Sequence, residues 1–203
     1  MHKQRQVGIY AGTFDPIHNG HLAFAAQAMH QCALDAVVFL PEPSPRGKQH
    51  VTSIVHRVAL IQLAIETEPR FNVLKLNSGQ FTIKNTLPKL QQEFGDALFT
   101  FLIGSDVAVS LGSWPSIKTL LQRVSLAIGI RESDEPLKIA ASMKRLSQEQ
   151  AVPVRYTLVL AAHAGVSSSK LRAGLTNSSQ LPASVLAYMQ QHNLYQTVPK
   201  ILN

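Results

Sequence analysis

The stretch Val7-Gly8-Ile9-Tyr10-Ala11-Gly12-Thr13-Phe14-Asp15-Pro16-Ile17-His18-Asn19-Gly20-His21-Leu22 passes from a short apolar run, through a turn containing Gly and Pro, into helical spacing at Leu22, Ala25, Ala26 and Met29. A strand feeding a helix in this way is the first half of a βαβ unit. The first apolar run, Val7–Ala11, is followed by others at Ala36–Leu40, Asn72–Leu76, Leu98–Ile103, Val124–Ile130 and Arg155–Leu160, bounded by Gly, Pro, Ser, Asp or Asn. Helical spacing fills intervals between them: Val58, Ile61, Leu63 and Ile65; Ile117, Leu120 and Leu121; Ile139, Met143 and Leu146. Strands alternating with helices require crossovers, so the predicted fold is α/β, a doubly wound parallel sheet covered on both faces. A helix over Thr82–Phe94 is expected to restart or kink at Pro88, which costs about 3 kcal/mol in a helix interior. From Val166 onward no strand pattern appears, and Ser168–Leu175 and Pro182–His192 read as helices. The expected organisation is an α/β domain over residues 1–165 with a C-terminal helical segment, 166–203, packed on it.

Composition narrows the function. The chain has 203 residues, 45% apolar and 15% charged, which excludes a disordered or coiled-coil protein. No apolar run approaches the roughly 18 residues of a membrane span, so no membrane partner is expected. The apolar stretch from Val7 ends at Gly12, short of a signal-peptide core, and the expected location is the cytoplasm. The single cysteine, Cys32, fits a reducing compartment and reads as a packing residue. Nineteen Lys and Arg against twelve Asp and Glu give a net charge of +7, a surface that attracts anions. Those cations are scattered, with no nucleic-acid motif among them, so nucleic acid is not the expected partner.

In open parallel sheets ligands bind beyond the carboxyl ends of the strands, which directs attention to Gly12–Leu22. The glycines permit close backbone approach, Pro16 stiffens the turn, and a helix is expected to begin near Asn19 or Gly20. A helix N-terminus offers unpaired N–H groups and about half a positive charge, a natural seat for phosphate. His18 and His21, three apart, fall on nearly one side of that first turn and can donate ring N–H groups to phosphate oxygens. Polar capping of the helix is the competing reading. A P-loop is excluded because G-x-x-x-x-G-K-[ST] is absent, and no G-x-G-x-x-G follows the strand. No carboxylate or cysteine stands beside the histidines at zinc-site spacing.

Gly12, Phe14, Asp15, Pro16, His18, Gly20 and His21 match the signature G-x-F-D-P-x-H-x-G-H, and here the chain resembles the nucleotidyltransferases that carry it. A second signature of that superfamily, a Ser-Ser pair opening a helix with an Arg, is similar to Val166-Ser167-Ser168-Ser169-Lys170-Leu171-Arg172. Phe81–Leu87, Leu102–Asp106, Ser113-Trp114, Leu181-Pro182 and His192–Tyr195 look like the bacterial nicotinate-mononucleotide adenylyltransferases. The likeness then covers nearly the whole chain. Departures stand beside it: Pro45-Arg46-Gly47-Lys48 replaces the usual Pro-Pro-His-Lys, Phe81 a common Tyr, Ser105 a common Ala and Ser169 a common Thr.

The resemblance implies a Rossmann-like nucleotidyltransferase fold and an enzyme of NAD biosynthesis. Its implied reaction transfers AMP from ATP to a pyridine mononucleotide, nicotinate preferred and nicotinamide second, releasing pyrophosphate. Mg²⁺ would be bound mainly through the substrate phosphates, with no protein metal ligands. The implied catalytic residues are His18, His21 and Arg172. The ATP site would comprise Gly12, Thr13, Phe14, His18, Gly20, His21, Gly104, Asp106, Ser167, Ser168 and Arg172. Arg46, Lys48, Thr82 and Trp114 would take the acceptor. Bland roles compete at several positions: helix capping for Ser167, Ser168 and Asp106, core packing for Trp114, and an ordinary basic loop for Arg46 and Lys48. Assembly as a homo-oligomer is compatible with this reading. The rivals are transfer to another phosphorylated acceptor, such as phosphopantetheine, cytidylyl transfer, and a nucleotide-binding sensor without activity.

Overall fold

A computed structural model describes residues 4–76, 81–131, 134–160, 167–173 and 178–195. Six strands form one sheet: β1 (Gln6–Gly12), β2 (Ala36–Pro41), β3 (Phe71–Val73), β4 (Leu98–Gly104), β5 (Val124–Ile130) and β6 (Tyr156–Leu160). Their spatial order is β3-β2-β1-β4-β5-β6, and every pair is parallel. The expected doubly wound α/β fold is what the chain adopts. The third strand departs in detail, pairing only through Phe71–Val73 where Asn72–Leu76 was expected. It sits at the sheet edge, and the Leu74 N–H makes one last bond to the Phe39 carbonyl (3.0 Å) before the chain leaves.

The strand side chains alternate between two cores. Val7, Ile9, Val38, Leu40, Phe99, Phe101, Leu126 and Ile128 face one layer, which contains α3 (Ile83–Phe94), α4 (Ser105–Ser110), α5 (Ile117–Arg123) and α6 (Pro136–Gln150). Val37, Phe39, Leu102, Ala127 and Val159 face the other, built on α1 (Asn19–Gln31) and α2 (Ile54–Ile65). Strands buried on both faces explain why β2 reads as a continuous apolar run, AVVFLP, with all six residues buried.

Helix α3 runs through Pro88 without interruption. The proline can donate nothing to the Lys84 carbonyl, but Lys84 and Pro88 are both exposed, so water can serve that group. Ile83, Thr86, Leu87 and Leu90 are buried on the opposite side and hold the helix to the sheet. At the C-terminal end, α7 (Ser168–Arg172) and α8 (Ala183–Gln191) match the expected helices in shortened form. Val185 of α8 joins the α1/α2 core. Val166, the division at 165/166 and the end of the Ser168–Leu175 stretch lie outside the described residues.

Candidate active site

Connections leave β1 toward β2 on one side, whereas β4 lies on its other side, so a crevice opens where the order reverses. A cleft of about 720 Å³ occupies that place. Its walls are the ends of β1 (Tyr10–Gly12) and β4 (Phe101–Gly104), the turn Thr13–His21, the loop after β2 and the residues just past β5. The volume lies within the 300–1,000 Å³ range of ligand pockets.

The first turn is shaped by aromatic packing. Phe14 has φ +49°, a left-handed conformation that bulky residues rarely adopt. Its ring lies against Tyr10 (5.2 Å), His21 (5.1 Å) and Phe39 (5.6 Å). A Cβ on Gly12 would meet that ring at 3.0–3.3 Å, which is why the position has no side chain. The Asp15–Pro16 peptide is cis.

Helix α1 begins at Asn19 with His18 as its N-cap residue. The two imidazoles stack with centroids 3.7 Å apart and planes inclined by 22°. The His18 N–H donates to His21 Nδ1 (3.2 Å), so a neutral His21 ring carries its proton on Nε2 and keeps that donor for a ligand. His18 Nδ1 is buried without any partner. Burial lowers the His18 pKa to about 4. His21 is pushed well below its ordinary value by burial first, then by His18 and Lys48. Both rings are therefore neutral at pH 7 and close-packed at the wall of the cleft.

The other expected residues divide into three groups. Gly12, Thr13, Phe14, His18, Gly20, His21, Arg46, Lys48, Gly104, Asp106, Trp114 and Ser167 line the one cleft. Asp106 is the second residue of α4, whose N-cap is Gly104, so the capping role considered for it does not hold. A Cβ on Gly104 would lie 2.5 Å from Asp106 Oδ1, so this carboxylate takes the space a larger residue would fill. Lys48 Nζ donates to Thr13 Oγ1 (2.9 Å) and Arg46 Nη2 to the Phe81 carbonyl (2.8 Å), bridging the basic loop to both sides of the opening. Gly47 between them has φ +67°, a conformation the histidine usual at that position would adopt only under strain.

Thr82 lies in an adjoining hollow of about 260 Å³, where its hydroxyl caps α3 by accepting from the Asn85 N–H (3.2 Å). That hollow is formed by the first turn of α3 and shares Arg46, Phe81, Trp114 and Pro115 with the main cleft.

Ser168 and Arg172 line neither opening. Ser168 Oγ donates to the Pro16 carbonyl (2.9 Å) and Arg172 Nη1 to the Asp15 carbonyl (2.6 Å), so both grip the turn from behind. Ser167 caps α7 by accepting from the Lys170 N–H (3.2 Å) while also facing the cleft.

Sequence reasoning passed over Tyr10, Glu42 and Arg131, which line the cleft, and Arg57, which supports it. Glu42 and Arg131 follow strand ends and were open to the same reasoning that found His18. Arg57 is fully buried in α2 and donates to the carbonyls of Thr52 (2.8 Å), Thr13 (2.7 Å) and Pro43 (3.2 Å), joining the loops after β1 and β2. Its only trace in the sequence is a charge among Ile54, Val58 and Ile61 on an apolar helix face.

Comparison with known proteins agrees with this geometry. Residues 9–174 match the cytidylyltransferase-like family. A probable nicotinate-nucleotide adenylyltransferase of Neisseria meningitidis serogroup C is 30% identical over 203 residues, covering 95% of this chain and 99% of its own. One from Bacillus mycoides is 32% identical, covering 95% and 100%. Among solved structures, Plasmodium falciparum nicotinic acid mononucleotide adenylyltransferase, complexed with APC, superposes with a TM-score of 0.74 at 19% identity, covering 95% of this chain and 98% of that one.

Proposed function

The chain belongs to the cytidylyltransferase-like family and to the nicotinate-nucleotide adenylyltransferases within it, and from that premise we propose how its residues carry out the reaction. The protein transfers the adenylyl group of ATP to nicotinate mononucleotide in NAD biosynthesis. An oxygen of the acceptor 5′-phosphate attacks the α-phosphorus, a new P–O bond forms, and the bond to the β-phosphate breaks to release pyrophosphate. Both reactants are anions, so the protein's task is to place them in line and offset their charge.

The observation that carries the assignment of substrates is the pair of openings joined at Arg46, Phe81, Trp114 and Pro115. The larger suits ATP: adenosine near Gly104 and Asp106, whose carboxylate can accept ribose hydroxyls, and the triphosphate over the start of α1. There His21 donates from Nε2 to the α-phosphate, a bond that strengthens as negative charge builds on the phosphoryl oxygens. The smaller hollow suits the pyridine ring, beside the flat face of Trp114. The first turn of α3, Lys84 and Arg46 surround that hollow with positive potential, which favours a nicotinate carboxylate over the neutral amide. Arg46 stands where the two openings meet, in reach of the acceptor phosphate, and Lys48 lines the main cleft beside Thr13.

Among the described residues no group of three or more His, Cys, Asp and Glu is arranged to hold an ion, and Glu42 and Asp106 are the carboxylates lining the main cleft. This donor set fits a Mg²⁺ ion that takes its ligands from phosphate oxygens and water. Bound there, it would neutralise charge on the triphosphate. No helix among the described residues is long and apolar enough to cross a membrane.

Pyrophosphate release measured with ATP or CTP against nicotinate mononucleotide, nicotinamide mononucleotide and phosphopantetheine tests the assignment. The expected result is release with ATP and nicotinate mononucleotide, with kcat/KM for the acid about tenfold or more above the amide. Preference for CTP or phosphopantetheine, or no release with any pair, would overturn it.

A further inference from the structure

Behind the histidine turn lies a buried contact that the transfer reaction does not itself require. The Asp15 carboxylate is 3% exposed. Its Oδ1 accepts the Tyr195 hydroxyl (2.6 Å), and its Oδ2 accepts the Thr52 N–H (3.3 Å) and lies 4.0 Å from Arg172 Nη1. Tyr195 reaches this carboxylate from 180 residues away, at the far end of the described chain. Its phenol is pushed up by burial and then by Asp15, so the oxygen stays protonated and donates. Arg57, the nearby buried cation, is directed elsewhere: its Nε, Nη1 and Nη2 donate to the carbonyls of Thr52, Thr13 and Pro43.

Building on the adenylyl-transfer reading, we propose that Tyr195 is a positioning residue: its hydroxyl holds Asp15, and through Asp15 the left-handed turn at Phe14 and the start of α1, so that His18 and His21 are aimed into the cleft. Without the hydroxyl, a buried carboxylate oxygen loses its donor. Asp15 must then turn toward Arg172 or toward water, and the same residue's carbonyl is the one Arg172 grips. The peptide between Phe14 and Pro16 moves with it. The acceptor hollow, formed by α3 and Trp114 on the other side of the cleft, is not attached to this contact.

The test is Tyr195→Phe, which deletes one oxygen and keeps the ring. Tyr188→Phe serves as its control. The Tyr188 hydroxyl also ties the C-terminal segment to α2, through His56 Nδ1 (3.0 Å), but touches nothing in the turn. Calorimetric binding of a non-hydrolysable ATP analogue is expected to weaken about tenfold in Tyr195→Phe, the loss of one hydrogen bond to a charged group. Turnover should fall, KM for nicotinate mononucleotide should hold, and the melting temperature should drop by only a few degrees, the cost of one lost donor to a buried carboxylate. Tyr188→Phe should bind the analogue as wild type does. Asp15→Asn combined with Tyr195→Phe should be no worse than the more severe single variant, because the two act as one unit.

Undiminished analogue binding in Tyr195→Phe would overturn the inference. So would an equal loss in Tyr188→Phe, which would mean general loosening of the C-terminal segment. Failure of the wild-type protein to bind the analogue would instead sink the adenylyl-transfer reading on which the inference rests.

Discussion

The two sides of the first turn are built on opposite principles. On the cleft side, His21 keeps an N–H for a ligand, and Arg46 and Lys48 are exposed cations, Arg46 donating to the Phe81 carbonyl and Lys48 to Thr13 Oγ1. On the rear side, the carbonyls of Thr13, Asp15 and Pro16 are all taken by side-chain donors, the first from α2 and the other two from α7. A ligand site needs unsatisfied groups, and unsatisfied groups hold their places only if their backbone is fixed elsewhere. Substitutions on the rear side should therefore cost stability, and catalysis only through the backbone they hold, whereas substitutions on the cleft side should cost catalysis with little loss of stability.

The sharpest test of the rear side is Arg57→Met. It removes a buried guanidinium that serves three carbonyls, and the expected loss is roughly 3–5 kcal/mol of unfolding free energy. Urea denaturation measures it, and a loss below about 1 kcal/mol would mean that water replaces the guanidinium and the rear side is not a scaffold. The matching test of the front is His21→Ala. Turnover should fall by about 10²–10³, some 3–4 kcal/mol of transition-state stabilisation, with the urea midpoint little changed. A variant with near-normal turnover would remove His21 from the mechanism and with it the contrast between the two sides.

That contrast also explains what the sequence could reveal. Ala36–Leu40 and Val124–Ile130 are legible as strands because a strand buried on both faces must be apolar throughout and must end at turn residues. His18 and His21 are legible because the cleft side is local: strand end, turn and helix start lie within a few residues. The rear side is not local. Arg172 reaches Asp15 across 157 residues and Ser168 reaches Pro16 across 152, so two residues of one motif hold backbone here while its Ser167 faces the cleft. Pro88 misleads for a related reason, since its cost depends on whether the orphaned carbonyl faces water, which spacing along one helix cannot tell.

Acid stability separates the two sides in another way. His18 binds its proton near pH 4 in the fold, against 6.5 for an unperturbed imidazole, because burial disfavours the charged ring. Between those values the unfolded chain holds more protons than the folded one, so stability is present above about pH 6.5 and is lost as pH falls toward 4. For this one group the loss between pH 7 and pH 5 is about 2 kcal/mol. Replacing His18 by Gln should remove that part of the pH dependence, seen as urea midpoints at the two pH values moving closer together. An unchanged dependence would assign the acid sensitivity to other groups.

The smallest expected effect belongs to the basic loop. Arg46 joins the two openings, yet it is exposed and donates to the Phe81 carbonyl. A solvated cation beside an anionic substrate is worth about 1 kcal/mol, so Arg46→Ala should raise KM for the mononucleotide about fivefold while leaving KM for ATP and the melting temperature in place. Steady-state kinetics with each substrate varied in turn gives the answer. A rise confined to KM for ATP would move Arg46 from the acceptor to the triphosphate, and would mean that the loop takes over the role of the histidine usually found there. A fall in stability would instead make its bond to Phe81 part of the scaffold, and the division between a rigid rear and an open front would no longer follow exposure.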